Sequence, residues 1–260
     1  MIALLKTTER VHNVSYINNY VFQRHVFAYR AALQFQLAGK DVLELGCGEG
    51  YGMELIGTHT NSYLAVDKKR PAHLPPGGHV RFQPCRLPHL QGIANNSYDV
   101  VICFQVIEHI QNDRQLLAEI KRVLKPGGSL LLTTPNQLTS LTRNPFHIRE
   151  YRPHQMQQLV SNVFSRFSIQ GIYGNNLVMD YYNRNKQAVA RITRFDIFNL
   201  QYHLPAFLLK GVYSALNNIT RFAIARKAPD ITAGISHKDF YLDQLTNNCL
   251  DYFVIATKAE

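Results

Sequence analysis

The sequence predicts an α/β fold: a doubly wound, mostly parallel sheet of seven strands with a helical insert before the last strand. Three observations predict it. Short apolar runs of strand type alternate with stretches of helical periodicity between residues 41 and 133. A glycine-rich turn, Gly46-Cys47-Gly48-Glu49-Gly50, stands directly between the first strand and the helix that follows. A long basic, largely helical stretch, residues 174–240, interrupts the alternation before an apolar run at 252–257 closes it.

The elements follow in order. Residues 18–38 carry apolar positions at three- and four-residue spacing and read as a helix stopped by Gly39. Residues 41–45 (DVLEL) are a short buried strand, and a second helix follows the glycine turn through Met53, Leu55 and Ile56. Residues 62–67 (SYLAVD) form a strand ending in an acid, and residues 79–82 a third short strand. Residues 98–104 (YDVVICF) form the continuous apolar run of a strand buried on both faces. A helix over 112–124 places Leu116, Leu117, Ile120 and Leu124 on one face. Pro126-Gly127-Gly128 then turns into an apolar strand at 129–133. Beyond a polar loop, residues 153–164 read as helix and 167–173 as strand.

A hydrophobic fraction of 46% and a charged fraction of 18% suit a globular protein with a full core. No run approaches the roughly 18 apolar residues of a membrane span, and the first residues do not read as a secretory leader. Cys47, Cys85, Cys103 and Cys249 contain no CxxC pair. A reducing, cytoplasmic setting is expected, with no zinc or disulfide framework and no metal ligands assigned. The formal charge is +10, and residues 181–240 hold nine Lys/Arg against three acids, so that segment carries +6 of it. Such a surplus suits anionic partners: phosphorylated substrates, acidic lipid or nucleic acid.

Glycines in the turn after the first strand let the backbone bend tightly and approach a ligand closely. The helix behind presents unpaired N–H groups. Such a turn alone also suits nicotinamide and flavin proteins. Asp67 narrows the choice: it ends the second strand, where a carboxylate can accept both hydroxyls of an adenosine ribose. A plain cap of the next segment is the alternative reading.

VLELGCGEGYG, YLAVDKK, SYDVVICFQVIEHI and EIKRVLKPGGSLLLTTPN, in that order over about residues 38–136, resemble the successive motifs of class I, Rossmann-like S-adenosylmethionine-dependent methyltransferases. They are most similar to the small-molecule and glycan-modifying branch. The resemblance implies S-adenosyl-L-methionine as cofactor. It places Glu44, Gly46, Cys47 and Gly48 in the cradle of the methionine part, Asp67 on the ribose and Lys68 near the adenine. Phe104 and Gln105 would face the sulfonium. Gln83 stands where the family often has an adenine-binding acid, and a glutamine carbonyl can accept the same hydrogen bond.

Removing a proton from the acceptor calls for a base or a water path. Three candidates lie past the right strand ends. His109 follows Glu108 after the fourth strand, either as base or as a shaper of the pocket floor. His147 and Glu150 lie in NPFHIREY after the fifth, at the edge where such sheets bind ligands. Their alternative is a loop clamp, with Glu150 paired to Arg149 or Arg143 and His147 on backbone. Cys47 and Cys103 read as packing residues.

Residues 205–228 read as one amphipathic helix, with Leu208, Leu209, Val212, Leu216, Ile219 and Phe222 at helical spacing. A lid packed on the sheet is the first reading; a membrane-surface helix and a dock for RNA or phosphorylated sugar are the others. The chain thus divides into a helical cap (1–38), a core (39–173 and 241–260) and a basic insert (174–240). The expected function is methyl transfer to an oxygen of a glycan or other small molecule, anionic or lipid-linked. RNA methylation and a catalytically silent binding subunit are the alternatives. No NPPY-type tetrapeptide follows the fourth strand, which disfavours RNA.

Overall fold

A computed structural model describes residues 16–75, 78–194, 196 and 200–260. The first fifteen residues of the expected cap lie outside the described residues. Eight strands form one sheet: β1 (Asp41–Leu45), β2 (Ser62–Asp67), β3 (Val80–Pro84), β4 (Tyr98–Phe104), β5 (Leu124–Pro135), β6 (Arg166–Gly174), β7 (Phe240–Gln244) and β8 (Asp251–Thr257). Their order is β3-β2-β1-β4-β5-β8-β6-β7. The pairs β1–β2, β2–β3, β1–β4 and β4–β5 are parallel, whereas β8 runs against both β5 and β6. The sheet is therefore doubly wound, and its strand order reverses between β1 and β4.

Alternate residues of each strand enter two cores. Leu43, Leu45, Val101 and Cys103 pack on one face with Leu116, Leu117 and Ile120 of α3 (Asp113–Val123) and Met156 and Val160 of α4 (Pro153–Ser161). Val42, Val100, Ile102 and Phe253 pack on the other with Tyr29 of α1 (Asn19–Ala32) and Met53 and Ile56 of α2 (Tyr51–Ile56). Each such fully buried side chain contributes about 1.5–3 kcal/mol. α3 starts where the sequence placed it, because the Asn112 side chain accepts from the Gln115 N–H at 3.1 Å.

Three elements differ from the sequence reading. α1 ends at Ala32 and passes through a 3-10 turn, Leu33–Phe35, because Gln36 takes a left-handed conformation (φ 48°) three residues before Gly39. β5 already begins at Leu124, which pairs with Tyr98; the Pro-Gly-Gly stretch is an irregularity inside one long strand, not a turn before it. β7 is an eighth, edge strand, pairing antiparallel with β6.

After β6 come α5 (Asn176–Thr193), α6 (Leu200–His203), α7 (Ala206–Lys227) and α8 (Pro229–Gly234). α7 occupies the predicted residues, but its stripe does not pack on the sheet as the lid reading expected. Leu208, Val212, Ile219 and Phe222 are each at least half exposed, while Ile224 and Ala225 near its end are buried. Helical periodicity identifies a face; it does not supply the surface that covers it.

Candidate active site

The reversal of strand order between β1 and β4 opens a crevice at their C-terminal ends, where doubly wound sheets hold ligands. The turn after β1 enters it. Gly46, Gly48 and Gly50 all have positive φ (71°, 55° and 89°), which only glycine adopts without strain. The N–H groups of Gly46 and Cys47 both reach the Val66 carbonyl, at 2.7 and 3.3 Å, so the turn is pinned to the end of β2. A side chain at Gly46 would collide with Val106, whereas the space above Gly48 is open.

Asp67 closes the corner. One carboxylate oxygen accepts from the Gly48 N–H at 3.0 Å and the other from the Lys69 N–H at 3.0 Å. A carboxylate presents two oxygens side by side, each of the kind that can accept a ribose hydroxyl. Lys68 is exposed beside it. On β3, Gln83 is the register partner of Val66, and its amide nitrogen donates to the Gln91 carbonyl at 3.2 Å. That orientation leaves the amide oxygen as the acceptor, as an adenine amino group requires. The open turn, the paired carboxylate oxygens and the Gln83 acceptor fit S-adenosylmethionine.

For three of the expected residues the side chain is buried. Glu44 is 1% exposed and sits beneath the turn, accepting from the Tyr29 hydroxyl at 2.6 Å. Burial lifts its carboxyl to about 7 against the opposing pull of the Tyr29 and Tyr63 hydroxyls. Its side chain thus ties the end of β1 to α1 through Tyr29. The Phe104 ring is buried against Tyr29 and Phe253, and Cys47 is likewise buried, which leaves their backbones to the corner. Gln105 donates from its side-chain amide to the Thr133 hydroxyl at 3.3 Å. It has φ 54°, its N–H donates to the Thr133 carbonyl at 2.8 Å, and its side chain lines the adjoining cavity.

That cavity, about 230 Å³, lies between the ends of β4 and β5 and the helices α1, α5 and α7. Glu108, His109, His147 and Glu150 line one wall. The His109 Nδ1–H donates to the Phe146 carbonyl at 2.8 Å, since a carbonyl can only accept. The His147 Nδ1 lies 2.6 Å from Glu150, and its Nε2 lies 2.8 Å from the Asn144 side-chain nitrogen. Asn144 spends its oxygen on the Phe146 N–H, so the nitrogen is what faces His147, and both ring nitrogens of His147 are engaged. Glu150 also accepts from Ser140. The expected clamp is thus wired differently: Arg149 pairs with Asp113, and Arg143 donates to the Gln201 carbonyl at 3.0 Å.

Sequence reasoning missed the opposite wall. Tyr20, Arg24 and His25 come from α1 and Arg221 from α7. Tyr20 and Arg24 are four residues apart on α1, which marks one helix face, yet nothing local says what that face meets. His25 bonds the Tyr51 hydroxyl, just after Gly50, at 2.7 Å. Burial, with Arg24 and Arg221 adding repulsion, pushes His25 down to about 3, so it is neutral at pH 7. Beside the polar cavity is a second, apolar pocket of about 410 Å³ between α5 and α7, and Thr142, Val189, Tyr213 and Asn217 border both.

Residues 20–175 match the model of a methyltransferase-domain family. The chain belongs to that family. Over 153 residues the chain is 38% identical to a protein of Mycolicibacterium smegmatis named probable S-adenosylmethionine-dependent methyltransferase, covering 55% of this chain and 58% of that one. Over 105 residues it is 32% identical to the mitochondrial ubiquinone biosynthesis O-methyltransferase of Schizosaccharomyces pombe, covering 37% and 38%. The chain spans little more than half the length of the first of these relatives. Among solved structures, a SAM-dependent methyltransferase from Archaeoglobus fulgidus superposes with a TM-score of 0.56 at 14% identity, covering 93% of this chain and 97% of that one. The shared architecture is the class I methyltransferase fold. Among the described residues no helix is long and apolar enough to cross a membrane.

Proposed function

We propose that this methyltransferase uses S-adenosyl-L-methionine to methylate an oxygen of a small-molecule or glycan acceptor, anionic or lipid-linked. One observation carries the reading: the cavity shares its wall with the nucleotide corner. Gln105 lines the cavity and precedes Val106, which packs against Gly46; His25 lines it and bonds Tyr51 beside Gly50.

When bound, the cofactor supplies an electrophilic methyl group, and the protein's contribution is alignment and a dry pocket. Gly46, Gly48 and the Cys47 backbone hold the approach to the methionine part. Asp67 takes the ribose, Lys68 and Gln83 the adenine side, and Phe104 and Gln105 border the reacting end. Arg221 places positive charge on the acceptor wall, which suits an anionic group. The apolar pocket next door suits a hydrocarbon portion of the same molecule. Engagement of both His147 nitrogens argues for His147 and Glu150 as a positioning pair, with His109 on the floor.

Calorimetric titration with S-adenosylmethionine and its demethylated product tests the first half. The wild type binds both, and Asp67→Ala weakens binding by at least tenfold, as loss of charged hydrogen bonds requires. No affinity in the folded wild type overturns the reading. A labelled-methyl screen of phenols, glycans and lipid-linked hydroxyls tests the second; cofactor binding without transfer to any of them would favour the silent binding subunit.

The exposed stripe of α7 favours a peripheral membrane contact. Val212, Ile219 and Phe222 share a face, and Lys210, Arg226 and Lys227 belong to the same helix. An apolar stripe with basic flanks suits an anionic lipid surface. Co-sedimentation with vesicles containing acidic lipid, lost in Val212→Ser/Phe222→Ser, is the expected result. Absence of wild-type binding at low salt removes it.

A further inference from the structure

The cavity floor holds an arrangement that the nucleotide corner does not use. Glu108, His109 and His147 each offer one ligand atom, and the three atoms lie within 4.8 Å of one another. They come from separate places: Glu108 and His109 from the turn after β4, His147 from the loop after β5. β4 and β5 are parallel neighbours in the sheet, and that pairing brings their two C-terminal ends together.

The surroundings of the three residues are as informative as their closeness. Metal-bound histidines characteristically donate the ring N–H that faces away from the metal to a carboxylate or carbonyl, which fixes the tautomer and ring orientation. Both histidines are held so: His109 Nδ1 by the Phe146 carbonyl at 2.8 Å, His147 Nδ1 by the Glu150 carboxylate at 2.6 Å. The rings lie nearly perpendicular, centroids 4.9 Å apart. Glu108 supplies an independent sign. Its side chain is 1% exposed, one oxygen accepts from Thr134 at 2.9 Å, and the other, Oε1, has no hydrogen-bond partner among the described residues. A buried carboxylate oxygen without a donor is costly and calls for an explanation, an ion among them.

We propose that Glu108, His109 and His147 form a binding site for one divalent transition-metal ion on the floor of the acceptor cavity. Two imidazoles and one carboxylate suit the zinc, manganese or iron(II) class and leave coordination positions open toward the cavity. Glu150 becomes the outer carboxylate that orients His147. Asn144 gives way, since its nitrogen now faces His147 Nε2. Coordination distances near 2.0–2.2 Å require the three ligand atoms to draw closer together than they stand. The site itself does not depend on methyl transfer. Its use rests on the proposed function: an acceptor hydroxyl entering an open position would lose its proton to solvent at a lower pH.

The test is a titration of tag-free, metal-stripped protein with Co²⁺ alone, without cofactor or acceptor, read by visible absorption and calorimetry. The expected result is one Co²⁺ per chain, displaced by Zn²⁺, with affinity at least tenfold weaker in His109→Ala and in Glu108→Gln of unchanged thermal midpoint. Absence of stoichiometric binding, or affinity unaffected by both variants, overturns the site. Where a variant does not fold, the wild type decides: Co²⁺ should shift two exchangeable imidazole N–H proton resonances, one per Nδ1–H, and one or none overturns it. Because no methyl donor is present, this outcome is separate from that of the cofactor titration.

Discussion

The Arg24 guanidinium on α1 meets the Asp251 carboxylate at the head of β8, Nε to Oδ2 3.1 Å, with the Asp251 side chain 1% exposed. Burial raises the Asp251 pKa and the arginine opposes it. The pair ties the N-terminal helix to the sheet beside the cavity. Arg24→Met leaves a buried carboxylate uncompensated and is expected to cost about 3–5 kcal/mol. Adding Asp251→Asn should recover a substantial part of that loss, because the stranded charge is gone. Urea denaturation of the single and double variants checks this; losses that simply add would refute the pairing.

The glycine turn predicts a paired effect of another kind. A Cβ at Gly46 would lie 2.5 Å from Val106 Cγ2, at a backbone φ of 71°. Gly46→Ala should therefore incur left-handed strain of roughly 1–2 kcal/mol and overpacking of about 1–3 kcal/mol. Val106→Ala in that background should remove the second part and leave the first. Thermal midpoints of the four proteins measure both; an equal loss in both Gly46→Ala proteins would discard the clash.

Glu44 makes stability depend on pH. Burial pushes its carboxyl up to about 7 in the folded chain, against an ordinary value of 4.5. Between those values the folded chain binds more protons than the unfolded one, so this group's contribution to stability falls as pH rises from about 4.5 to 7. The full loss is roughly 3 kcal/mol. Glu44→Gln lacks it. The stability of the variant relative to the wild type should thus climb from pH 5 to 7.5 and level off above. A pH-independent difference would show that Glu44 ionises normally.

The outward face of α7 predicts tolerance. Val212→Ser and Phe222→Ser should each change stability by no more than about 0.5 kcal/mol, typical of exposed positions. Ile224→Ser, at a site only 6% exposed, should cost about 2–4 kcal/mol. Chemical denaturation compares them. Equal costs would mean that the stripe is covered by the chain itself.

Among the strands that carry the site, β4 was readable because YDVVICF ends in a continuous apolar run, as a strand buried on both faces demands. The corner was readable because Gly46, Gly48 and Asp67 sit at fixed places relative to the strands. β7 escaped: FYLDQ is short and half polar, as an edge strand can afford to be. His147 and Glu150 were found as neighbours in sequence, but their partners Asn144 and Ser140 depend on how the loop folds. Arg24, His25 and Arg221 join the cavity from opposite ends of the chain, and no local pattern announces such a meeting. The α7 stripe misled for the reason already given: amphipathic spacing names no partner.

The long excursion between β6 and β7 begins and ends at a single point. Gly174 and Phe240 are register partners across those strands. One residue further in, Asn175 bonds Asp239 through its backbone N–H at 2.9 Å and its side chain at 2.8 Å. The helices α5 to α8 are therefore stitched together at the base of the excursion. Evolution can lengthen, trim or exchange such a loop, and with it the shape presented to a substrate, while the strands beneath keep their pairing. The contacts that would constrain such a swap include those from α1, where Asn19 donates to the carbonyls of Thr232 and Ile235 at 2.9 and 2.7 Å, and the bond from the Tyr182 hydroxyl to the Thr139 carbonyl at 2.9 Å.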